Sequence, residues 1–180
     1  LIAQLQGLGY ATVTIKDERQ LLSNLKTQIE RANGLTALSD TEWKQVISFL
    51  NTGTVFERAK NLRDLFPVKF DDGTSKHIFF LSDDPSKNIY QVTNQITIDH
   101  RDYNGRTSRF DVTLLVNGLP LVQIELKKRG MEIAEAFNQT QRYIREAYWA
   151  GQGLFGFIQL FVISNGANTR YYSNGTTGIE

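Results

Sequence analysis

Hydrophobic residues in the first 66 positions recur at the three- and four-residue spacing of amphipathic helices. This pattern predicts a short helix over residues 1–8 and a longer one from Glu18 to Ala32. Ser39 and Glu42 have the spacing of a capping box ahead of a third helix. A fourth helix is predicted from about residue 54 to 65, because a proline follows at 67. We therefore expect a helical subregion over about residues 17–66.

The hydrophobic period changes to two at about residue 88, where apolar and polar residues begin to alternate as in a half-buried strand. Two further strands, over 110–116 and 120–127, flank the dipeptide Asn117-Gly118, which is a hairpin signal. A helix is predicted over 133–149, an apolar strand over 157–163 and a short edge strand over 169–172. This order predicts an α/β fold in one domain, 1–180. Its core, over about 88–173, is a mixed sheet of four or five strands flanked by helices.

Composition narrows the class of protein without pointing to a partner. The chain is 41% hydrophobic and contains no cysteine, which excludes disulfides, thiolate zinc sites and a cysteine nucleophile. No apolar run approaches the roughly 20 residues that cross a bilayer, so we expect a cytoplasmic protein with no membrane partner. The net charge of +1 is weak for a stand-alone DNA binder. Because the chain opens without methionine, inside an apparent helix, we expect it to be a fragment of a larger subunit.

The predicted hairpin separates its polar from its apolar side chains, because alternate residues of a strand share a face. Asp111 and Thr113 lie on one face of the first strand. Gln123, Glu125 and Lys127 share one face of the second strand, and the residues between them are apolar. The pairing register of the two strands therefore decides whether the carboxylates meet.

Two registers are compatible with the turn. A two-residue turn pairs position 116 with 119 and places Asp111 and Glu125 on opposite faces. A three-residue loop over 117–119 pairs position 116 with 120 and sets Asp111 opposite Glu125. Since a slip of one residue moves every side chain to the other face, the hydrophobic pattern should select the register. It favours the three-residue loop, which keeps the apolar faces together.

In the favoured register two carboxylates stand roughly 4.5–5.5 Å apart at their β-carbons, with a lysine further along the same face. Like charges directly opposite each other are destabilising, so the pair calls for a cation. Mg²⁺ prefers carboxylate oxygens and is commonly completed by waters and substrate phosphates. The plainer interpretation is that Asp111 and Glu125 are solvated or paired with nearby lysines. The full pattern of Asp, hairpin, Glu-apolar-Lys and helix favours the metal site.

The residues around this hairpin resemble a known nuclease family. Asp111 and, after the turn, Glu125-Leu126-Lys127 resemble the PD-(D/E)XK nuclease motif. Residues 109–130 read RFDVTLLVNGLPLVQIELKKRG and look like the N-terminal nuclease domain of the R (restriction and motor) subunit of type I restriction enzymes. Residues 136–143 and 160–166 extend the match. The resemblance is strong over about 109–173 and weaker before it.

The resemblance implies a restriction-endonuclease-like fold and Mg²⁺-dependent hydrolysis of phosphodiester bonds in double-stranded DNA. It implies metal binding by Asp111, Glu125 and the backbone carbonyl of Leu126, with Lys127 completing the catalytic set. One departure is Phe110, which replaces the proline of the motif. Another is the first helix, which lacks the acidic residue that some members add to the metal shell.

Two further residues match a Gln-x-x-x-Tyr motif that is shared with RecB-like nucleases. Gln139 and Tyr143 stand four apart on a predicted helix and therefore on one of its faces. The resemblance implies that they support the site or contact DNA.

The resemblance also implies partners and a cofactor outside this chain. No Walker-type Gly-Lys-Ser/Thr is present, so the ATP-driven motor expected of the full-length subunit lies elsewhere. Methylation (M) and specificity (S) subunits are the expected protein partners. Two alternatives remain: a RecB-like nuclease or junction resolvase on the same core, and a catalytically silent docking module of this fold.

Overall fold

The computed structural model describes residues 1–100, 106–130, 133, 137–138 and 153–174. Within these ranges the helices are α1 (Ile2–Gly7), α2 (Glu18–Ala32), α3 (Asp40–Leu50) and α4 (Val55–Asn61). The strands are β1 (Ala11–Thr12), β2 (Phe66–Lys69), β3 (Ser75–Ile78), β4 (Tyr90–His100), β5 (Arg106–Val116), β6 (Leu119–Leu126), β7 (Leu160–Ser164) and β8 (Thr169–Ser173). No helix in these ranges has the length and apolar character needed to cross a membrane.

The main sheet is mixed and has the strand order β1-β4-β5-β6-β7-β8. The β1–β4 and β6–β7 pairs are parallel, and the other three pairs are antiparallel. The prediction of a mixed α/β fold with a sheet flanked by helices is confirmed. The predicted four or five strands were too few, because β1 contains only two residues and carries no period of its own.

Helix α2 has the predicted bounds, because its start signal and its apolar stripe agree. The Asp17 side chain caps the helix by accepting a hydrogen bond from the backbone N–H of Gln20 at 2.8 Å. Leu21, Leu25 and Ile29 are fully buried on one face, each contributing roughly 1.5–3 kcal/mol of hydrophobic stabilisation. The capping box predicted at Ser39 and Glu42 is also present, at the start of α3.

Helix α4 begins after its Thr54 cap, as predicted, but ends at Asn61 rather than near residue 65. The carbonyl of Leu62 accepts a hydrogen bond from the backbone N–H of Leu81 at 3.1 Å. The chain therefore leaves the helix to pair with a distant segment, and β2 starts at Phe66.

Strands β2 and β3 form a separate antiparallel hairpin that the sequence pattern did not reveal. Pro67 was interpreted as a helix stop, yet it lies within β2 opposite His77. A proline is tolerated there because a two-stranded sheet consists of edge strands.

The parallel neighbours β6 and β7 require a crossover connection, which here spans residues 127–159. Ile133, Phe137 and Asn138 are helical, as predicted. The rest of the helix predicted over 133–149 lies outside the described residues. The strand predicted from Phe157 begins instead at Leu160, because Leu154–Phe157 form a 3-10 turn that fills the core.

The sheet separates the two larger of the three apolar clusters in the described residues. The main cluster contains α2 and the sheet residues Leu115, Leu119 and Phe161. A smaller cluster on the other face packs α1 against Val112 and Ile124. Thr113, Gln123 and Glu125 alternate with Val112 and Ile124 along their strands, so they lie on the face opposite the smaller cluster.

Candidate active site

The β5–β6 hairpin turns through two residues. Asn117 and Gly118 have φ values of 50° and 82°, and Val116 pairs directly with Leu119. Positive φ at both central residues is the geometry that favours Asn-Gly in tight hairpins. The predicted three-residue loop is therefore wrong.

A β-bulge restores the register that was predicted for the carboxylates. Leu115 pairs with Pro120 but Leu114 pairs with Val122, so Leu121 has no partner on β5. Beyond the bulge, position 113 pairs with 123 and position 112 with 124, which is the register favoured by the hydrophobic pattern. Continued by one residue, this register places Asp111 opposite Glu125.

Side-chain and backbone contacts hold the motif residues together at the end of β6. The backbone N–H of Leu126 donates to Asp111 Oδ2 at 2.8 Å, which ties the aspartate to the neighbouring strand. The backbone N–H of Lys127 donates to the carbonyl of Ser164 at 2.8 Å and fixes the strand end to β7. The structure thus brings together Asp111, Glu125, Leu126 and Lys127.

Glu125 is buried rather than solvated, with only 1% of its surface exposed. Among the described residues its Oε2 atom has no hydrogen-bond partner. Burial, and secondly the charge of Asp111, raise the pKa of Glu125 from 4.5 to about 7, against a smaller lowering by Gln123 and Lys127. The plainer interpretation of a solvated carboxylate is therefore wrong for Glu125.

Two buried polar residues next to Glu125 were not assigned a role from the sequence. The hydroxyl of Thr113 donates to Gln123 Oε1 at 2.8 Å. The Gln123 Nε2 amide donates to Glu125 Oε1 at 3.1 Å. Thr113 and Gln123 are both 0% exposed. Their alternation with apolar residues was visible in the sequence, but their burial depends on the layer that covers this face.

The strand on the other side of Asp111 is irregular. The β4–β5 pairing keeps one register throughout, yet no pair is formed between Gln95 and Asp111. Gln95 has a φ of 58°, a left-handed conformation that is uncommon for a residue with a side chain. Before it Val92 faces the smaller cluster, and after it Ile96 faces the main cluster. The unbroken alternation predicted for this strand is therefore wrong, since it shifts by one residue beside Asp111.

The donors at the hairpin fit a magnesium ion. A buried carboxylate oxygen on Glu125, without a hydrogen-bond partner in the described ranges, lies beside a second carboxylate, on Asp111. In the described part of the chain no cluster of three or more His, Cys, Asp or Glu side chains could hold a metal. A metal here would rely on two carboxylates completed by backbone and water oxygens, a set typical of Mg²⁺ rather than zinc.

Gln139 and Tyr143, which the resemblance assigned to site support or DNA contact, lie outside the described residues. Their role stays a prediction.

Comparison with known proteins places this hairpin in a family. Residues 1–178 match the family described as type I restriction enzyme R protein N terminus. The chain belongs to this family. The match covers both the helical subregion and the hairpin, so the resemblance first seen over about 109–173 extends to almost the whole chain.

Members of the R protein N-terminus family with high similarity come from several bacteria. The type I restriction enzyme SsaAORF53P endonuclease subunit of Staphylococcus saprophyticus is 44% identical over 180 residues, covering 97% of this chain and 18% of that protein. The SauMSSORF170P endonuclease subunit of Staphylococcus aureus is 44% identical over 179 residues, with the same coverage. The EcoprrI endonuclease subunit of Escherichia coli is 39% identical over 182 residues, covering 98% of this chain and 57% of that protein. The chain therefore spans less than a fifth of the length of its staphylococcal relatives.

Proposed function

We propose that this chain is the Mg²⁺-dependent endonuclease domain of a type I restriction enzyme R subunit, with a PD-(D/E)XK core. Its reaction is the hydrolysis of phosphodiester bonds in double-stranded DNA. One observation carries the proposal: a buried Glu125 carboxylate, one oxygen of which has no hydrogen-bond partner among the described residues, lies beside Asp111, and Lys127 follows at the end of the same strand. Such a carboxylate is costly to bury unless a cation compensates it.

Each residue has a distinct role in this proposal. Asp111 and Glu125 would hold the ion, with the backbone carbonyl of Leu126 as a third protein donor. A bound Mg²⁺ supplies polarisation of a phosphate oxygen and acidification of a water. The Lys127 ammonium would neutralise the negative charge that develops on the phosphate in the transition state. The hydrogen bond from Leu126 to Asp111 keeps the first carboxylate oriented before substrate arrives.

The partners of the proposed enzyme follow from its relatives and its charge. The relatives are named endonuclease subunits of type I restriction enzymes and are much longer than this chain. We propose that the full-length subunit carries an ATP-driven motor and assembles with methylation and specificity subunits. These parts would supply much of the DNA affinity, since a net charge of +1 supplies little.

A catalytically silent docking module is the second candidate, and the interior of the hairpin argues against it. A docking role does not require a buried carboxylate such as that of Glu125, which has an oxygen unpaired within the described part of the chain and destabilises the fold without a ligand. Intact Asp111, Glu125 and Lys127 together favour the nuclease.

Lys127 offers a test with a matched control, because Lys128 follows it directly. Lys127 is half-buried at the site and Lys128 is exposed. In the complete enzyme, Lys127→Met is expected to slow plasmid cleavage by at least about a hundredfold, since it removes the positive charge that neutralises the phosphate in the transition state. Lys128→Met should slow cleavage no more than a few-fold.

The measurement is the rate of supercoiled plasmid cleavage with Mg²⁺ and ATP, with ATP hydrolysis recorded in the same samples. We expect ATP hydrolysis to persist in both variants. Equal cleavage rates for the two variants would remove Lys127 from the proposed catalytic set.

A further inference from the structure

The hydrogen bonds beside Glu125 form an ordered relay that runs from Thr113 through Gln123 to the carboxylate. We propose that Thr113 and Gln123 are positioning residues that orient Glu125 for cation binding. This inference rests on the proposed function, and it concerns two side chains outside the motif formed by Asp111 and Glu125-Leu126-Lys127.

The relay has a direction, which the donors and acceptors determine. Thr113 donates to the carbonyl end of the Gln123 amide at 2.8 Å, so the amino end faces Glu125. That amino end donates to Glu125 Oε1 at 3.1 Å. The same amino end also donates to the Ile124 carbonyl at 3.3 Å. Without the Thr113 hydroxyl, the amide oxygen would lose its donor in the protein interior, and only the acceptors at the amino end would keep Gln123 in this orientation.

Burial makes the relay difficult to replace. Thr113 and Gln123 are 0% exposed, and Glu125 is 1% exposed. Water therefore has little access to substitute for a lost donor, and a hydrogen bond to a charged group is stronger than a neutral one.

The relay also differentiates the two oxygens of Glu125. Oε1 is held by Gln123, whereas Oε2 has no hydrogen-bond partner among the described residues. One oxygen is thereby anchored and the other stays available to a cation. A polar pair with only a structural role would not require that Glu125 Oε2 stay available.

Thr93 provides a matched control on the adjacent strand. It pairs directly with Thr113 across β4 and β5 and is 1% exposed. In the part of the chain that is described, its hydroxyl has no hydrogen-bond partner. Thr93→Val and Thr113→Val are therefore the same change at equal burial, and only the second interrupts the relay.

The test is the dissociation constant for Mg²⁺, measured by titration calorimetry on the full-length subunit without DNA or nucleotide. The Asp111→Ala variant serves as a control that measures Mg²⁺ binding elsewhere on the subunit. We expect Thr113→Val and Gln123→Met each to raise the dissociation constant about tenfold, as for the loss of one hydrogen bond to a charged group. Thr113→Ser, which keeps the hydroxyl, should stay near wild type, and so should Thr93→Val.

Two further readouts separate positioning from a general loss of structure. In the Gln123→Met background, Thr113→Val should not raise the dissociation constant for Mg²⁺ further, because Thr113 acts on Glu125 only through Gln123. In the complete enzyme, cleavage by Thr113→Val should need more Mg²⁺ for half-maximal rate but approach the wild-type rate at saturation. If Thr113→Val does not fold, Gln123→Met carries the same expectations.

The outcomes distinguish this inference from the function on which it rests. If Asp111→Ala abolishes Mg²⁺ binding while Thr113→Val and Gln123→Met bind like wild type, the relay is wrong and the metal site stands. If Thr93→Val weakens binding as much as Thr113→Val, the relay is also wrong. If Asp111→Ala leaves Mg²⁺ binding unchanged, the metal site fails and the relay fails with it.

Discussion

Replacing Glu125 by glutamine is expected to abolish DNA cleavage and, at the same time, to make the metal-free chain more stable at about pH 8. Cleavage should fall by at least about a thousandfold, because a metal ligand is lost. Stability should rise because glutamine carries no charge into a site where burial raises the pKa of Glu125 to about 7. A shift of this size corresponds to roughly 2–4 kcal/mol.

The stability difference between Glu125→Gln and the wild type is expected to depend on pH. The pKa of Glu125 is raised in the folded chain from 4.5 to about 7. The stabilising contribution of the protonated side chain is therefore complete below about 4.5 and is lost as the pH rises through about 7. The variant should have no advantage at about pH 4 and its full advantage at about pH 8.

Urea unfolding of the 180-residue chain at the two pH values measures the effect, with and without Mg²⁺. Mg²⁺ should stabilise the wild type at about pH 8, since it binds the folded state, and should have little effect on Glu125→Gln. A variant that is destabilised equally at both pH values would contradict the account of Glu125 as a buried, uncompensated charge.

The second large effect is expected at Asn117, which anchors the hairpin turn. Its Oδ1 accepts from the backbone N–H of Ile89 at 2.7 Å, and its Nδ2 donates to the Phe80 carbonyl at 2.8 Å. Nδ2 also donates to Asn88 Oδ1 at 2.8 Å. Asn117→Ala would remove these partners from the Ile89 N–H and the Phe80 carbonyl and place alanine at a φ of 50°. We expect a loss of about 3–5 kcal/mol in the free energy of unfolding.

Asn117→Gly is the matched control, because glycine accepts the positive φ but provides no side chain. We expect Asn117→Gly to remain destabilised, by about 1 kcal/mol less than Asn117→Ala. Urea unfolding of the chain measures both. If Asn117→Gly were as stable as wild type, the hydrogen bonds of Asn117 would contribute nothing, and backbone strain would explain the whole effect in Asn117→Ala.

The hairpin shows why part of the site could be predicted from sequence and part could not. The apolar pattern correctly placed positions 112 and 113 opposite 124 and 123. The apolar pattern could not predict the length of the turn, because the hairpin has one register next to the turn and another beyond the bulge at Leu121. A bulge adds one residue without changing the local composition. The turn dipeptide therefore indicated the register next to the turn, and the apolar pattern indicated the register beyond the bulge.

Burial was harder to predict than pairing. Glu125 and Gln123 have the alternation of a solvated strand face, yet both are buried in the folded chain. Gln95 is similar, since no local signal marks a left-handed residue inside a strand. The bounds of α2, by contrast, followed from a cap and an apolar stripe, both of which are local.

The same distinction applies to function. The family could be predicted because the motif residues Asp111, Glu125 and Lys127 lie within one continuous stretch, residues 109–130, and the comparison confirms the family. The Thr113–Gln123 relay is visible only when two strands and their donors are placed together.

The most direct test of the central claim is plasmid cleavage by the complete restriction enzyme carrying Asp111→Ala, with Mg²⁺ and ATP present. Asp111 accepts a hydrogen bond from the backbone N–H of Leu126, and its charge acts on Glu125, so Asp111→Ala removes one of the two carboxylates of the proposed metal site. We predict that the plasmid stays uncut while ATP hydrolysis continues at the wild-type rate. Cleavage at the wild-type rate would contradict the assignment of nuclease chemistry to this hairpin and would favour the docking module instead.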